Sequence, residues 1–134
     1  MISREQRQQL QAQWEQDDSQ WPRLADKIVL HIDRIHTMGI ISSTRPRIQN
    51  VIMPQLLNAL PEGTIPNYMM CTLTIPLTEQ DSAKIYCFPV TSDIGADRLR
   101  GFGIDAIYFD DAWKVNGITK QRIIASIGPD AWVI

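Results

Sequence analysis

Ile104-Asp105-Ala106-Ile107-Tyr108-Phe109-Asp110-Asp111-Ala112 is the stretch that decides the fold. Residues 104–109 are a short, mostly apolar, β-prone run, which reads as a buried strand. It ends in two carboxylates. An acid at the carboxyl edge of a strand can hold a magnesium ion or its water, and a second acid can orient or deprotonate an attacking water. Ligands of open α/β sheets bind at that edge. On this chemistry Asp110 is the candidate metal ligand, and Asp110 with Asp111 the candidate catalytic pair. A plainer reading is that the two acids end a strand and cap the turn after it.

Reading outward from there, the upstream connection holds Thr91-Ser92-Asp93 and then Asp97-Arg98-Leu99-Arg100-Gly101. Residues 92–99 read as a short helical turn. Before them, Met69 to Leu77 and Lys84 to Val90 are β-rich runs joined by Thr78 to Ala83, a hairpin pattern. Pro76 and Pro89 mark sheet edges or strand ends. Pro61-Glu62-Gly63 is a turn. Thr44 is placed to cap a helix from Pro46 to Leu60, with Ile48, Val51, Ile52, Leu56, Leu57 and Leu60 inward. Pro54 falls inside that helix and predicts a kink. Gly39 to Ser43 reads as a short strand. A second helix starts at Trp21-Pro22, repeats Leu24, Ala25, Ile28, Val29, Ile32 and Ile35 at helical spacing, and stops at Gly39. Ser3 and Gln6 fit a capping box for a first, polar helix, whose apolar stripe is only Leu10 and Trp14. Asp17, Asp18 and Ser19 end it. Downstream, Asn116-Gly117 turns the chain, Thr119 caps a helix through Ile127, Gly128-Pro129 stops it, and Ala131 to Ile134 adds a last strand.

The expected architecture is one α/β domain over residues 1–134. It has a mixed sheet of four or five strands with flanking helices: a peripheral helix over 1–20, then a core over 21–134. The 134 residues are 44% apolar, too rich for intrinsic disorder and suited to a single core. Thirteen basic residues against fifteen acidic ones leave a net charge of −2, which gives no support to a nucleic-acid partner. The charge is uneven: residues 22–50 carry five basic residues against two acids, and residues 78–113 carry seven acids against three basic residues. Arg45 and Arg47 bracket Pro46 as a small basic patch. No apolar run approaches the roughly 20 residues that cross a bilayer. The N-terminus does not read as a secretory signal. Cys71 and Cys87, in predicted strands, read as two reduced, buried thiols of a cytoplasmic protein, with a cross-strand disulfide as the alternative. His31 and His36 are five apart and do not share a helix face well, so they read as surface or packing histidines and only weakly as a metal pair. There is no CxxC and no Cys/His cluster for zinc. Trp14, Trp21, Trp113 and Trp132 read as core or interface anchors.

Taken in order, these motifs resemble the ATPase domain of phage terminase large subunits, over about Trp21 to Trp113. That family has a strand pair, a Leu-Arg-Gly element, a spacer and a hydrophobic strand ending Asp-Glu-Ala, the Walker B element. Leu99-Arg100-Gly101, Ile104 to Phe109 and Asp110-Asp111-Ala112 stand in those places. A family strand that ends near a Pro-Thr turn and leads into a helix looks like Ile40 to Ser43, Thr44 and the helix from Pro46. The Walker A phosphate loop corresponds to Arg23-Leu24-Ala25-Asp26-Lys27-Ile28. The resemblance therefore implies Lys27, Arg23 and Arg100 as phosphate-binding residues.

The departures decide what the resemblance implies for activity. Asp26 stands where the loop glycine belongs, and Ile28 where the magnesium-binding Ser/Thr belongs. Asp111 is one methylene shorter than the family glutamate. A length of 134 residues holds an ATPase core without the nuclease domain of complete terminases. The expectation is a non-catalytic binding, regulatory or assembly protein, phage-encoded and working in the host cytoplasm, with no cofactor. Its partner would be another protein or a second copy of itself, met through Leu10, Trp14 and Trp21. One alternative is a hydrolase of nucleotides or phosphoesters that uses Asp110 and Asp111 with Mg²⁺ and ATP. Another is an unrelated oligomeric structural module.

Overall fold

A computed structural model describes residues 3–5, 20–90, 99, 103–113, 117–127 and 131–134. Within them the chain is an α/β domain built on a six-stranded sheet. Helix α1 is Gln20–Leu30 and strand β1 is Thr37–Ser42. Arg45–Arg47, Ile48–Ile52 and Met53–Ala59 run on as one helix, α2. Strands β2 (Ile65–Asn67), β3 (Thr72–Pro76), β4 (Ser82–Pro89) and β5 (Ala106–Phe109) follow, then helix α3 (Gly117–Ile127) and strand β6 (Trp132–Val133).

The strand order is β2-β3-β4-β1-β5-β6. Strands β4, β1, β5 and β6 are parallel, while β3 is antiparallel to both β2 and β4. β1 is central, pairing Ile40 with Cys87 on one side and with Tyr108 on the other. A strand buried on both faces reads as an apolar run, and from Met38 to Ser42 every residue is buried.

One face of the sheet packs on α1 and α2, through Trp21, Leu24, Ile28, Ile48, Ile52, Met53 and Leu56 over Met38, Ile40, Leu73 and Ile85. The other carries a second cluster, Ile41, Val90, Leu99, Ile104, Ile107, Phe109 and Trp113 with Ile123 of α3. Fully burying each such side chain is worth about 1.5–3 kcal/mol, so two cores hold the sheet between helices.

Several boundaries differ from the expectation, each for a local reason. The helix that begins at Gln20 ends at Leu30 rather than at Gly39, and Gly39 lies inside β1. A Cβ at Gly39 would meet Ile104 Cδ1 at 3.1 Å, so this glycine serves close packing and is not a helix stop. Pro54 does not break α2. The Met53 N–H instead reaches back five residues to the Ile48 carbonyl. That widened turn accommodates a ring that has no N–H and crowds the carbonyl four residues back. Thr44 caps the helix as expected, its hydroxyl accepting from the Arg47 N–H at 3.3 Å.

β3 begins at Thr72, not Met69, because residues 68–71 turn. The Asn67 side chain accepts from the Met70 N–H at 3.1 Å, and Cys71 has a φ of 55°. Cys71 and Cys87 are both free and buried. The extra strand, β2, goes beyond the expected four or five, since three residues around Pro66 carry too little β signal. α3 starts at Gly117, two residues ahead of the expected cap at Thr119. The expected features at Leu10, Trp14, Thr91 to Arg98, Arg100, Gly101, Asn116 and Gly128-Pro129 lie outside the described residues. Among the described residues, no helix is long and apolar enough to cross a membrane.

Candidate functional site at the carboxyl end of the sheet

β1 and β5 run side by side, so Ser42 ends one strand beside the end of the other, where Asp110 follows Phe109. α2 starts just after β1 and sends Arg47 back over the same edge. α1 runs antiparallel to β1, which brings its first residue, Gln20, to this edge as well. Four segments thus converge on one buried carboxylate.

Asp110 is 2% exposed and accepts five hydrogen bonds. Oδ2 accepts from the Ser42 hydroxyl at 2.6 Å and from Arg47 Nε at 2.6 Å. Oδ1 accepts from Arg47 Nη2 at 3.0 Å, Gln20 Nε2 at 3.1 Å and the Ala112 N–H at 3.0 Å. The guanidinium grips the carboxylate with two donors, the bidentate geometry that favours arginine over lysine. Gln20 Oε1 in turn accepts from the Tyr108 hydroxyl at 2.7 Å and from the Asp111 N–H at 3.0 Å. No buried side-chain polar atom among the described residues lacks a partner. Burial on its own pushes the Asp110 carboxyl up. Hydrogen bonds from Arg47, Ser42 and Ala112, with the Arg47 charge, outweigh it and hold the group below the usual carboxylate range.

An ionised carboxylate offers about four lone-pair sites. Five donors occupy them, and one donor group is itself a cation. A magnesium ion needs carboxylate oxygen as a ligand and keeps several waters around it. The groups around Asp110 are donors facing that oxygen, so the residues as arranged do not fit a magnesium ion. Asp110 also caps the turn after β5, since the Ala112 N–H reaches its side chain and the Trp113 N–H reaches its carbonyl at 2.8 Å.

The other expected site residues fall elsewhere. Asp111 is exposed and joins the cluster through its main chain. Arg23 and Lys27 are exposed positions within α1, not in a loop. Lys27 stands seven residues, about 10 Å, along the helix from Gln20. The far end of α1 meets β6, where the His31 and Trp132 rings lie 4.7 Å apart, and Trp132 pairs with Ala106 at the start of β5. Asp26 and Lys27 therefore lie away from the Asp110 edge, and residues 23–28 form part of a helix and not a loop. The residue of α1 that faces the acid is Gln20, the first described residue of that helix. Trp21, expected at a partner interface, is fully buried with its ring edge-on to Tyr108 at 5.8 Å. Arg100, Leu10 and Trp14 lie outside the described residues.

Gln20 and Ser42 are site residues that the sequence does not single out, and Arg47 is read there only as half of a small basic patch with Arg45. Ser42 at the end of an apolar strand and Arg47 three residues after a cap are weak signals alone. A pocket of ≈ 230 Å³ adjoins Arg47, lined by Thr44, Pro46, Asn50 and Val51.

No family model and no curated protein matches the sequence. Solved structures do. The large terminase from a thermophilic bacteriophage (crystal form 2) aligns with a TM-score of 0.59 at 15% identity. The same terminase in complex with ADP (crystal form 3) aligns with a TM-score of 0.54 at 19% identity. The fold is terminase-like. Each alignment covers 75% of this chain and 25% of the terminase chain, so the chain spans about a quarter of the proteins it matches. Within this terminase-like fold, the residue of α1 that meets the strand-end acid Asp110 is Gln20.

Proposed function

We propose that this chain is a non-catalytic binding or assembly protein of phage origin, built on a terminase-like ATPase fold and working in the host cytoplasm. The observation that carries this reading is the contact between Gln20 and Asp110. It supports looking for a phosphate loop ahead of Gln20 rather than at residues 23–28. Residues 15–19, just ahead of Gln20, are Glu15-Gln16-Asp17-Asp18-Ser19. They hold three carboxylates, and no glycine precedes Gly39 anywhere in the sequence. A phosphate cradle needs glycine for its backbone wrap, a lysine for the terminal phosphates and a hydroxyl for magnesium. Here acids would repel the phosphates, and an amide side chain takes the hydroxyl's place beside Asp110.

Exposed apolar side chains support a binding role. Ile65, Tyr68, Met69 and Met70 cluster at one edge of the sheet, and Val29, Leu30, Trp132 and Val133 lie towards the other. Isothermal titration with ATP and Mg²⁺, beside a phosphate-release assay, tests the reading. No heat of binding at millimolar nucleotide and no phosphate release are expected. Release that is lost in Asp110→Ala would overturn it in favour of a Mg²⁺-dependent hydrolase using Asp110 and Asp111. Light scattering then identifies the partner. A mass above 15.3 kDa points to a second copy, and a mass of 15.3 kDa points to a different protein.

A further inference from the structure

The ligand set around Asp110 disagrees with the cation that a strand-end acid of this fold implies, and the disagreement has a specific form. A positive charge is already present on the carboxylate, supplied by the chain. We propose that Arg47 is an internal replacement for the divalent cation, so that the carboxyl ends of β1 and β5 and the first turns of α1 and α2 are locked together with no ligand bound. The inference builds on the non-catalytic reading above.

Three features separate this from an ordinary surface ion pair. The guanidinium makes two bonds to a carboxylate that is itself buried, at 2.6 and 3.0 Å. The same carboxylate oxygen that takes Arg47 Nε also takes the Ser42 hydroxyl at 2.6 Å, which places a hydroxyl oxygen and a carboxylate oxygen side by side. Hard cations bind such oxygen pairs. Finally, the lock joins distant parts of the chain: Arg47 is 63 residues from Asp110, Ser42 is 68 and Gln20 is 90. In a site held by a soluble cation, loss of that cation would release these segments. A guanidinium on α2 cannot diffuse away, and it stays charged at any working pH.

Removing the guanidinium should therefore uncover a cation site instead of leaving only a weaker fold. Mn²⁺ is titrated into the full chain while the electron paramagnetic resonance signal of the free ion is followed. The native protein is expected to leave Mn²⁺ free. Arg47→Ser is expected to bind about one ion in the millimolar range, as suits a site with a single carboxylate. The double variant Arg47→Ser/Asp110→Asn is expected to lose that binding. Two results would overturn the inference: Asp110-dependent Mn²⁺ binding by the native chain, or a folded Arg47→Ser that binds none. Where Arg47→Ser is unfolded in plain buffer, circular dichroism during the same titration decides. Recovery of the fold with Mn²⁺, but not with K⁺ at equal ionic strength, supports the inference, and no recovery overturns it. The two proposals fail separately. Native Mn²⁺ binding at Asp110 without phosphate release removes this one alone. Phosphate release that survives Asp110→Asn removes the non-catalytic reading alone.

Discussion

Arg45 and Arg47 stand two residues apart across Pro46, at the start of one helix, and do opposite things. Arg47 turns inward and clamps Asp110, a buried charge, with two hydrogen bonds. Arg45 turns outward and donates through Nη2 to the main-chain carbonyl of Met69, in an exposed turn. Beside it Gln49 Nε2 donates to the Tyr68 carbonyl at 2.8 Å. Both arginines tie α2 to a distant segment. The lesson lies in what each leaves exposed. In the Arg47 region no buried side-chain polar atom lacks a hydrogen-bond partner. The Arg45 region is held by its main chain while its side chains, Tyr68, Met69 and Met70, face solvent. One region spends its polar groups on a buried carboxylate; the other is a pinned turn that presents two thioethers and a phenol ring to solvent. Met is favoured at adaptable binding surfaces for its flexible, polarizable side chain.

The largest effect expected from this contrast is at Asp110. Asp110→Ala leaves Arg47 partly buried without its counter-charge and strips partners from Ser42, Gln20 and the Ala112 N–H. Breaking a buried pair from one side costs about 3–5 kcal/mol. Urea unfolding should show the midpoint falling accordingly, or no folded protein at all. A loss under about 1 kcal/mol would mean that the cluster contributes no more than one ordinary hydrogen bond. Arg47→Ala should cost less, about 2–3 kcal/mol, because Asp110 keeps the Ser42, Gln20 and Ala112 donors. If the Arg47 loss exceeded the Asp110 loss, the carboxylate would not be the hub.

How far the sequence carries the fold can be judged from the same residues. The acid strand, the Thr44 cap, the helical spacing of α2 and the β3–β4 hairpin depend on neighbours in the chain, and all are readable there. Gly39 misleads because a glycine that ends a helix and a glycine that admits the Ile104 side chain look the same in one dimension. β2 escapes because an edge strand of three residues with a central proline has no periodicity to detect. The partners of Asp110 escape for another reason. Gln20 is an ordinary helix residue until the fold places it 3.1 Å from an acid 90 positions away. The phosphate-loop correspondence settles on Lys27 because an arginine followed four residues later by a lysine is a visible motif, whereas a lone glutamine is not.

Acid should weaken the Arg47 region and spare the Arg45 region. The folded Asp110 carboxyl lies below its ordinary value of 3.8, so the native state binds its proton less readily than the unfolded chain. That contribution to stability is complete above the unfolded value. It fades as pH falls through 3.8 towards the lower folded value. Thermal midpoints measured from about pH 7 down to about 3 should drop in the native protein across that window. They should drop less in Asp110→Asn, which has no proton to take up. An equal acid loss in both would assign the effect to other carboxylates.

The smallest expected effect is at Arg45. An exposed guanidinium on a neutral carbonyl gains little over water, and surface substitutions of this kind stay within about 0.5 kcal/mol. Arg45→Ala should therefore leave the urea midpoint almost unchanged. Its consequence should be local: amide hydrogen exchange at Tyr68 to Met70 is expected to quicken, because two helix side chains hold that turn and one has been removed. Gln49→Ala should act in the same direction, and the double variant should exceed either. Stability and rigidity would then come apart in this region, while at Arg47 they fall together. Unchanged exchange in the double variant would show that the Asn67 side chain and the left-handed Cys71 already hold the turn. The tie to α2 would then have no part in presenting the exposed methionines.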